Sequence, residues 1–342
     1  MLIKPNILLI YTGGTIGMMK DFETGALKAF NFSKLLQKIP ELKQLDCHIK
    51  TLSFETPIDS SNMNPDKWVK MATIIEDNYS NFDGFVVLHG SDTMSYSAAA
   101  LSFMLENLSK PVVFTGSQLP IGDLRTDAKE NLITAIQIAS LQRKHKPIIQ
   151  EVCLYFEYKL YRGNRTTKIN AEHFNAFSSP NYPPLAESGV HLKINNELVF
   201  PKTHSKKLLV HKRLDDNVVV VKMFPGINET VLSAIIEIPN LKGMILETYG
   251  SGNAPTDEWF INALKKAIKK GLYVINVTQC SGGSVNMGQY ETSTTLKKIG
   301  VISGKDSTTE AAITKLMYLL GENVAPNVFK TIFETSIRGE LS

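Results

Sequence analysis

Residues 7–17 read ILLIYTGGTIG. A run of apolar residues stops abruptly at a threonine, two glycines, a second threonine, an isoleucine and a third glycine. The run has the length of a buried strand, and the glycines closing it mark a tight turn. Glycine-rich turns after a first strand often cradle phosphate. Here the spacing fits neither the dinucleotide fingerprint G-x-G-x-x-G nor a P-loop ending in Gly-Lys-Ser/Thr. Two hydroxyls, on Thr12 and Thr15, flank the glycine pair instead. The pair is readable as a structural turn alone, or as a turn that brings backbone close to a small ligand.

Outward from this stretch, strand-like runs alternate with helix-like segments, the pattern of a mostly parallel sheet covered on both faces. GFVVLHG (84–90) and PVVFTGS (111–117) read as further strands, and SYSAAALSFMLENL (95–108) and TDAKENLITAIQIASL (126–141) as helices. NPDKWVKMATIIEDNY (64–79) opens on Asn64 as N-cap with Pro65 at the first helical position. Trp68, Met71, Ala72, Ile75 and Tyr79 form its apolar face. From 178 to 216 the composition turns to proline, serine, glycine and scattered basic residues, with room for a short hairpin. The α/β rhythm resumes with NVVVVKMFPG (217–226), GMILETYGSGN (243–253) and YVINVTQCSGG (273–283). A last helix is expected from Ser307, where STTE reads as a capping box, to just before Gly321. The expectation is an α/β chain of two mostly parallel domains, a larger one over 1–190 and a smaller one over 215–342, joined by a linker at 191–214.

The 342 residues suffice for two such cores, and 43% hydrophobic with 20% charged residues is ordinary for a globular enzyme. A net charge of +4, with basic residues dispersed, gives no footprint for nucleic acid. Cys47, Cys153 and Cys280 lack metal-ligand or disulfide spacing, which fits a reducing compartment. The apolar run at the N-terminus is too short for a membrane span and has no cleavage site after it, so a cytoplasmic location without membrane partners is expected.

Chemistry-bearing residues gather where strands end. VVLHGSDTM (86–94) offers Ser91 and Asp92, which would share a crevice with Thr15 or else cap the following helix. VFTGSQLP (113–120) presents Ser117 and Gln118, and YRGNRTTKIN (161–170) presents Lys168. A lysine beside an aspartate in a desolvated crevice can accept a proton, and a threonine needs such a neighbour to become a nucleophile. His89 reads as a buried, hydrogen-bonded histidine rather than a base, and no metal-ligand cluster accompanies it.

Taken in order, YTGGTIG, LHGSDTM, VFTGSQLP, LYRGNRTTK, YGSGNAP, TQC and the final RGEL resemble the bacterial type I (cytoplasmic) L-asparaginases over nearly the whole chain. The resemblance implies the asparaginase fold and hydrolysis of L-asparagine to L-aspartate and ammonia, with no cofactor and no metal. It implies Thr15 as nucleophile through an acyl-enzyme, with Ser91, Asp92 and Lys168 as a second cluster. It further implies Asp92 for the substrate α-amino group, the Asp59–Ser60–Ser61 loop for its α-carboxylate, and Ser117 near the scissile carbonyl. Asn253 matches a residue contributed across a subunit interface, which implies a homodimer or a dimer of dimers.

The chain departs from that pattern at three places. Ser91 stands where the family usually has threonine, and Ala26 stands where its lid carries a tyrosine, with no tyrosine following until Tyr79. Glu247 occupies a position that is arginine in a relative regulated by a second asparagine, with Lys242 as a nearby compensating charge. Two other readings share the core: an ammonia-generating component of a tRNA-dependent amidotransferase, which would carry an extra N-terminal domain, and a non-catalytic amino-acid sensor. A dehydrogenase fits less well, because the glycine spacing is wrong.

Overall fold

In the computed structural model, which describes residues 4–20, 27–29, 39–200, 206–288 and 291–342, the opening run forms β1 (Asn6–Gly13), buried at every position after Asn6. The chain divides into two compact units, residues 1–179 with 183–212 and residues 180–182 with 213–342.

In the first unit β1 is followed by β2 (His48–Ile58), β3 (Gly84–Leu88), β4 (Val112–Thr115), β5 (Val152–Phe156) and β6 (Lys159–Arg162). A short ribbon of β7 (Thr167–Lys168) and β8 (Phe177–Ser178) comes next, then a hairpin of β9 (Ala186–Ser188) and β10 (Leu192–Ile194). Eight of these strands make one sheet in the order β10-β9-β6-β5-β4-β3-β1-β2. The pairs from β2 through to β5 are parallel, and those from β5 out to β10 are antiparallel. Every residue of β3, β4 and β5 is buried, as strands covered on both faces require. The covering helices include α1 (Pro65–Asn78), α2 (Met94–Met104) and α3 (Ala128–Ser140). Asn64 caps α1 by accepting the Lys67 N–H at 3.1 Å, and Trp68, Met71, Ala72 and Ile75 are its buried face.

The second unit has a four-stranded parallel sheet, β11 (Val218–Lys222), β12 (Gly243–Thr248), β13 (Tyr273–Thr278) and β14 (Ile302–Ser303), in sequence order. Its helices are α4 (Glu229–Ile236), α5 (Glu258–Lys269), α6 (Glu291–Ile299), α7 (Thr309–Gly321) and α8 (Pro326–Phe333). Met244, Leu246, Phe260, Leu264 and Val274 lie in its core.

Three details differ from the sequence expectation. The stretch expected as linker at 191–214 starts as structure: β10 pairs with β9 at the sheet edge, and Leu209–Val210 pairs with Leu105–Glu106. Residues 192–194 and 209–210 are thereby paired by backbone hydrogen bonds within the first unit. The α7 cap is Thr308, which accepts the Ala311 N–H at 3.2 Å, while Ser307 donates back to the Gly304 carbonyl. Helix α8 has no counterpart in the sequence expectation. Ala26 lies outside the described residues.

Candidate active site

The chain runs β1, β2, β3, yet β1 lies between the other two, so the strand order reverses there. Connections leaving neighbouring strands diverge at such a point and open a crevice beyond their carboxyl ends. The glycine pair is what lets the connections meet. Gly13 has φ +138°, and a Cβ on it would lie 2.1 Å from the Ile58 carbonyl oxygen at the end of β2. Gly14 has φ +86°, and its Cβ would lie 2.5 Å from the Gly90 nitrogen just past β3. No side chain fits either place. The Ser60 hydroxyl abuts Gly90 in the same way, so the segments bearing Thr15, Ser60 and Ser91 are in contact.

The two hydroxyls of the opening stretch take different roles. Thr12 is buried and donates to the Leu88 carbonyl at 2.9 Å, tying β1 to β3. Thr15 begins a short 3-10 turn (Thr15–Gly17) and is half-buried at the crevice. At the Ser91 turn, Lys168 Nζ donates to Ser91 Oγ at 2.9 Å and to Asp92 Oδ1 at 2.7 Å. The lysine side chain is 17% exposed and the aspartate 65%, so the pair sits at the rim with the lysine inward. Helix α2 has Thr93 as its N-cap residue with no side-chain capping bond, so Ser91 and Asp92 are not its cap. Thr93 instead donates to the Ser60 carbonyl at 2.8 Å.

The Asp59 loop is self-braced. The Asp59 carboxylate accepts the Ser61 N–H at 3.0 Å and the Ser61 hydroxyl at 2.9 Å, and these donors hold its pKa below the ordinary carboxylate value. Ser60 is buried within the turn. Ser117 is buried too, and its hydroxyl donates to the Leu119 carbonyl at 2.6 Å. That turn is organised by Asp127, which accepts the N–H groups of Gln118 at 2.9 Å and Leu119 at 3.1 Å. Burial raises the Asp127 pKa against those donors.

His89 is fully buried, and desolvation pushes its pKa down to about 4 despite the opposing bond to Gly90. Its Nδ1 lies 2.7 Å from the Gly90 carbonyl, which can only accept, so Nδ1 carries the proton. Nε2 therefore accepts from the Ser97 hydroxyl at 2.9 Å, and that oxygen accepts the Trp68 indole N–H. A neutral ring locked at both nitrogens is a scaffold for the Gly90 turn and not a base.

Sequence reasoning gave one residue of this cluster no role. Ser91 Oγ donates to Gln118 Oε1 at 3.3 Å, while Gln118 Nε2 donates to the carbonyls of Ala171 and His173. Tyr79, the next tyrosine after the lid stretch, ends α1 and hydrogen-bonds to Ser109.

Asn253 belongs to the second unit, where its backbone bridges to Tyr249 in a tight turn. Glu247, near the end of β12, accepts the Thr309 hydroxyl at 2.6 Å. Lys242 does not reach it: its Nζ pairs with Asp215 at 2.5 Å. Among the described residues no group of three or more His, Cys, Asp or Glu is placed to hold a metal ion. No helix among them is long and apolar enough to cross a membrane.

Both halves of the chain match one family. Residues 6–200 match the model described as Asparaginase, N-terminal, and residues 217–333 match Glutaminase/Asparaginase C-terminal domain. The chain belongs to the asparaginase family. It is 43% identical to L-asparaginase 1 of Escherichia coli strain K12, over 99% of this chain and 98% of that one. The crystal structure of L-asparaginase I from Vibrio cholerae superposes with a TM-score of 0.91 at 40% identity, covering 99% of this chain and 100% of that one. A component of the glutamyl-tRNA(Gln) amidotransferase of Pyrococcus abyssi is 33% identical over 99% of this chain and 77% of its own length. The fold is therefore the two-domain asparaginase fold, with the larger, mostly parallel sheet in its N-terminal part.

Proposed function

We propose that this asparaginase-family chain hydrolyses L-asparagine to L-aspartate and ammonia, with Thr15 as nucleophile. The observation that carries the reading is the convergence of Lys168 on Ser91 and Asp92, in a turn whose glycine touches the turn of Thr15. Thr15 Oγ attacks the side-chain amide carbon, and its proton leaves with the departing nitrogen as ammonia. An aspartyl ester of Thr15 remains. Water then adds to that ester carbonyl, the C–O bond to Thr15 breaks, and the hydroxyl proton is restored. Backbone N–H groups around the two glycine turns are suited to stabilise the oxyanion of each step.

In this reading Lys168 moves the proton at Ser91, and Asp92 holds both the lysine and the substrate's α-ammonium. The Asp59–Ser61 loop receives the α-carboxylate, through donors other than those Asp59 already engages, and Ser117 lies near the scissile carbonyl through its backbone. Asn253 completes the site of a neighbouring copy, so the active form is a homo-oligomer, and the location is cytoplasmic. The reaction needs no cofactor.

Ammonia release from purified protein and asparagine alone tests the activity. Thr15→Ala should lower kcat by several orders of magnitude without unfolding the protein, since the side chain is only half-buried. Wild-type turnover in that variant would remove Thr15 from the role. The similarity to the amidotransferase component supports a second reading, ammonia supply to misacylated tRNA. Turnover that appears only when tRNA and a partner protein are added would favour it.

A further inference from the structure

We propose that Gln118 is a positioning residue for Ser91: its carboxamide holds Ser91 Oγ in the rotamer that keeps it against Lys168 Nζ, the partner with which it exchanges a proton. The inference rests on the reading of Ser91, Asp92 and Lys168 as one proton-moving cluster. The orientation of the amide follows from the chemistry of its neighbours. Gln118 Nε2 lies 3.1 Å from the Ala171 carbonyl and 2.9 Å from the His173 carbonyl. Both neighbours only accept, so both amide hydrogens are committed there, and turning the amide over would set oxygen against two oxygens. Oε1 is thereby left facing Ser91 Oγ, at 3.3 Å.

The lysine imposes the complementary constraint. While Lys168 is an ammonium it has donors only, so in that state Ser91 Oγ accepts from Lys168 Nζ and its own hydrogen points elsewhere. Gln118 Oε1 is the acceptor in that direction. A serine needs such a partner more than a threonine would. Without a second heavy atom on Cβ its χ1 has three staggered wells to choose from, whereas a β-branched side chain is restricted. Gln118 is itself well placed to act as the fixed point, since the Asp127 carboxylate holds its backbone N–H at 2.9 Å. The same amide ties the turn after β4 to the segment three to five residues beyond Lys168, so one group sets the spacing of both cluster members.

The test is a double-mutant cycle on asparagine hydrolysis, using Gln118→Met, which keeps length and bulk but neither accepts nor donates strongly. Losing one hydrogen bond to a reacting group should lower kcat about tenfold with little change in KM. In the Ser91→Thr background the loss on Gln118→Met should shrink to about twofold, because the β-branch now restricts the rotamer. A crystal structure of Gln118→Met should show Ser91 Oγ in more than one rotamer. An unchanged kcat, a loss of the same size in both backgrounds, or a single unchanged Ser91 rotamer would overturn the proposal. A wild-type protein inert toward asparagine would sink the hydrolase reading instead, and the Ser91 rotamer would still decide the role of Gln118.

Discussion

Lys168 bonds Ser91 while Asp92 and the pairing of β7 with β8 hold it, and replacing the lysine separates shape from charge. Lys168→Met keeps the packing of the stem and deletes the proposed proton carrier. A positioned acid or base contributes about 10²–10⁴-fold, so kcat should fall within that range while the fold persists. Steady-state rates on asparagine measure this, and a variant with wild-type kcat would leave Lys168 a structural ion pair. His89 gives a different, pH-dependent signature. Its pKa falls from 6.5 to about 4 on burial, so between these values the unfolded chain binds a proton that the folded one refuses. Stability from the neutral ring is complete above pH 6.5 and is lost as pH falls toward 4, by about 3 kcal/mol at 1.36 kcal/mol per unit. Urea unfolding at a series of pH values should give that loss in the wild type and a flatter profile in His89→Gln. Equal slopes would mean the ring is not the titrating group. As candidates, Thr15, Ser91 and Lys168 stand out in the sequence because each hydroxyl or amine follows a strand-ending glycine turn or a recognisable segment. The role of Gln118 does not, since it depends on carbonyls 53 and 55 residues further along the chain, which no local pattern announces.

Among the elements, the least legible part is the end of the second unit. RGEL is visible as a string, but its work is done by a fully buried Glu340 that accepts Lys315 Nζ at 2.5 Å and the N–H groups of Ile337 and Arg338. Lys315, on α7, also donates to the carbonyls of Phe333 and Thr335 at the end of α8. Burial lowers the lysine's pKa, and the adjacent Glu340 carboxylate works against that shift. One ammonium thus fastens the end of α8 and the terminal segment to α7. Lys315→Met would leave a carboxylate buried without its counter-charge and should destabilise the protein by about 3–5 kcal/mol. Adding Glu340→Gln should recover part of this, which denaturant midpoints of the two variants would reveal. No recovery would mean that packing, not charge, dominates. Helix α8 is hard to read because it spans only eight residues, although Pro326 at its first position is a usable signal. The first-unit strands are plain for the opposite reason: continuous apolar runs such as GFVVL leave no other reading, whereas the three-residue arms β9 and β10 have too little periodicity to separate them from a linker.

At the scale of the whole molecule, we propose that regulation turns on Glu247. At the position where the sequence resemblance implies an arginine in a regulated relative, this chain holds a carboxylate in place through Thr309, and Lys242 is occupied by Asp215. Two like charges at about 4 Å repel by roughly 4 kcal/mol at an effective dielectric near 20, and even about 1.4 kcal/mol would weaken an effector tenfold. Rate against asparagine concentration should therefore be hyperbolic, and a sigmoidal curve abolished by changes around Glu247 and Cys280 would refute this. The crossing of strand order at β1 carries a consequence for biosynthesis. Thr15, Ser60, Ser91 and Gln118 come from four separate connections and Lys168 from β7, so no early fragment contains the proposed set of catalytic groups. A nascent chain must extrude past residue 168 and then close pairings between remote segments, the slow kind of contact in folding. Returning enzymatic turnover during refolding should accordingly lag behind the recovery of helical signal.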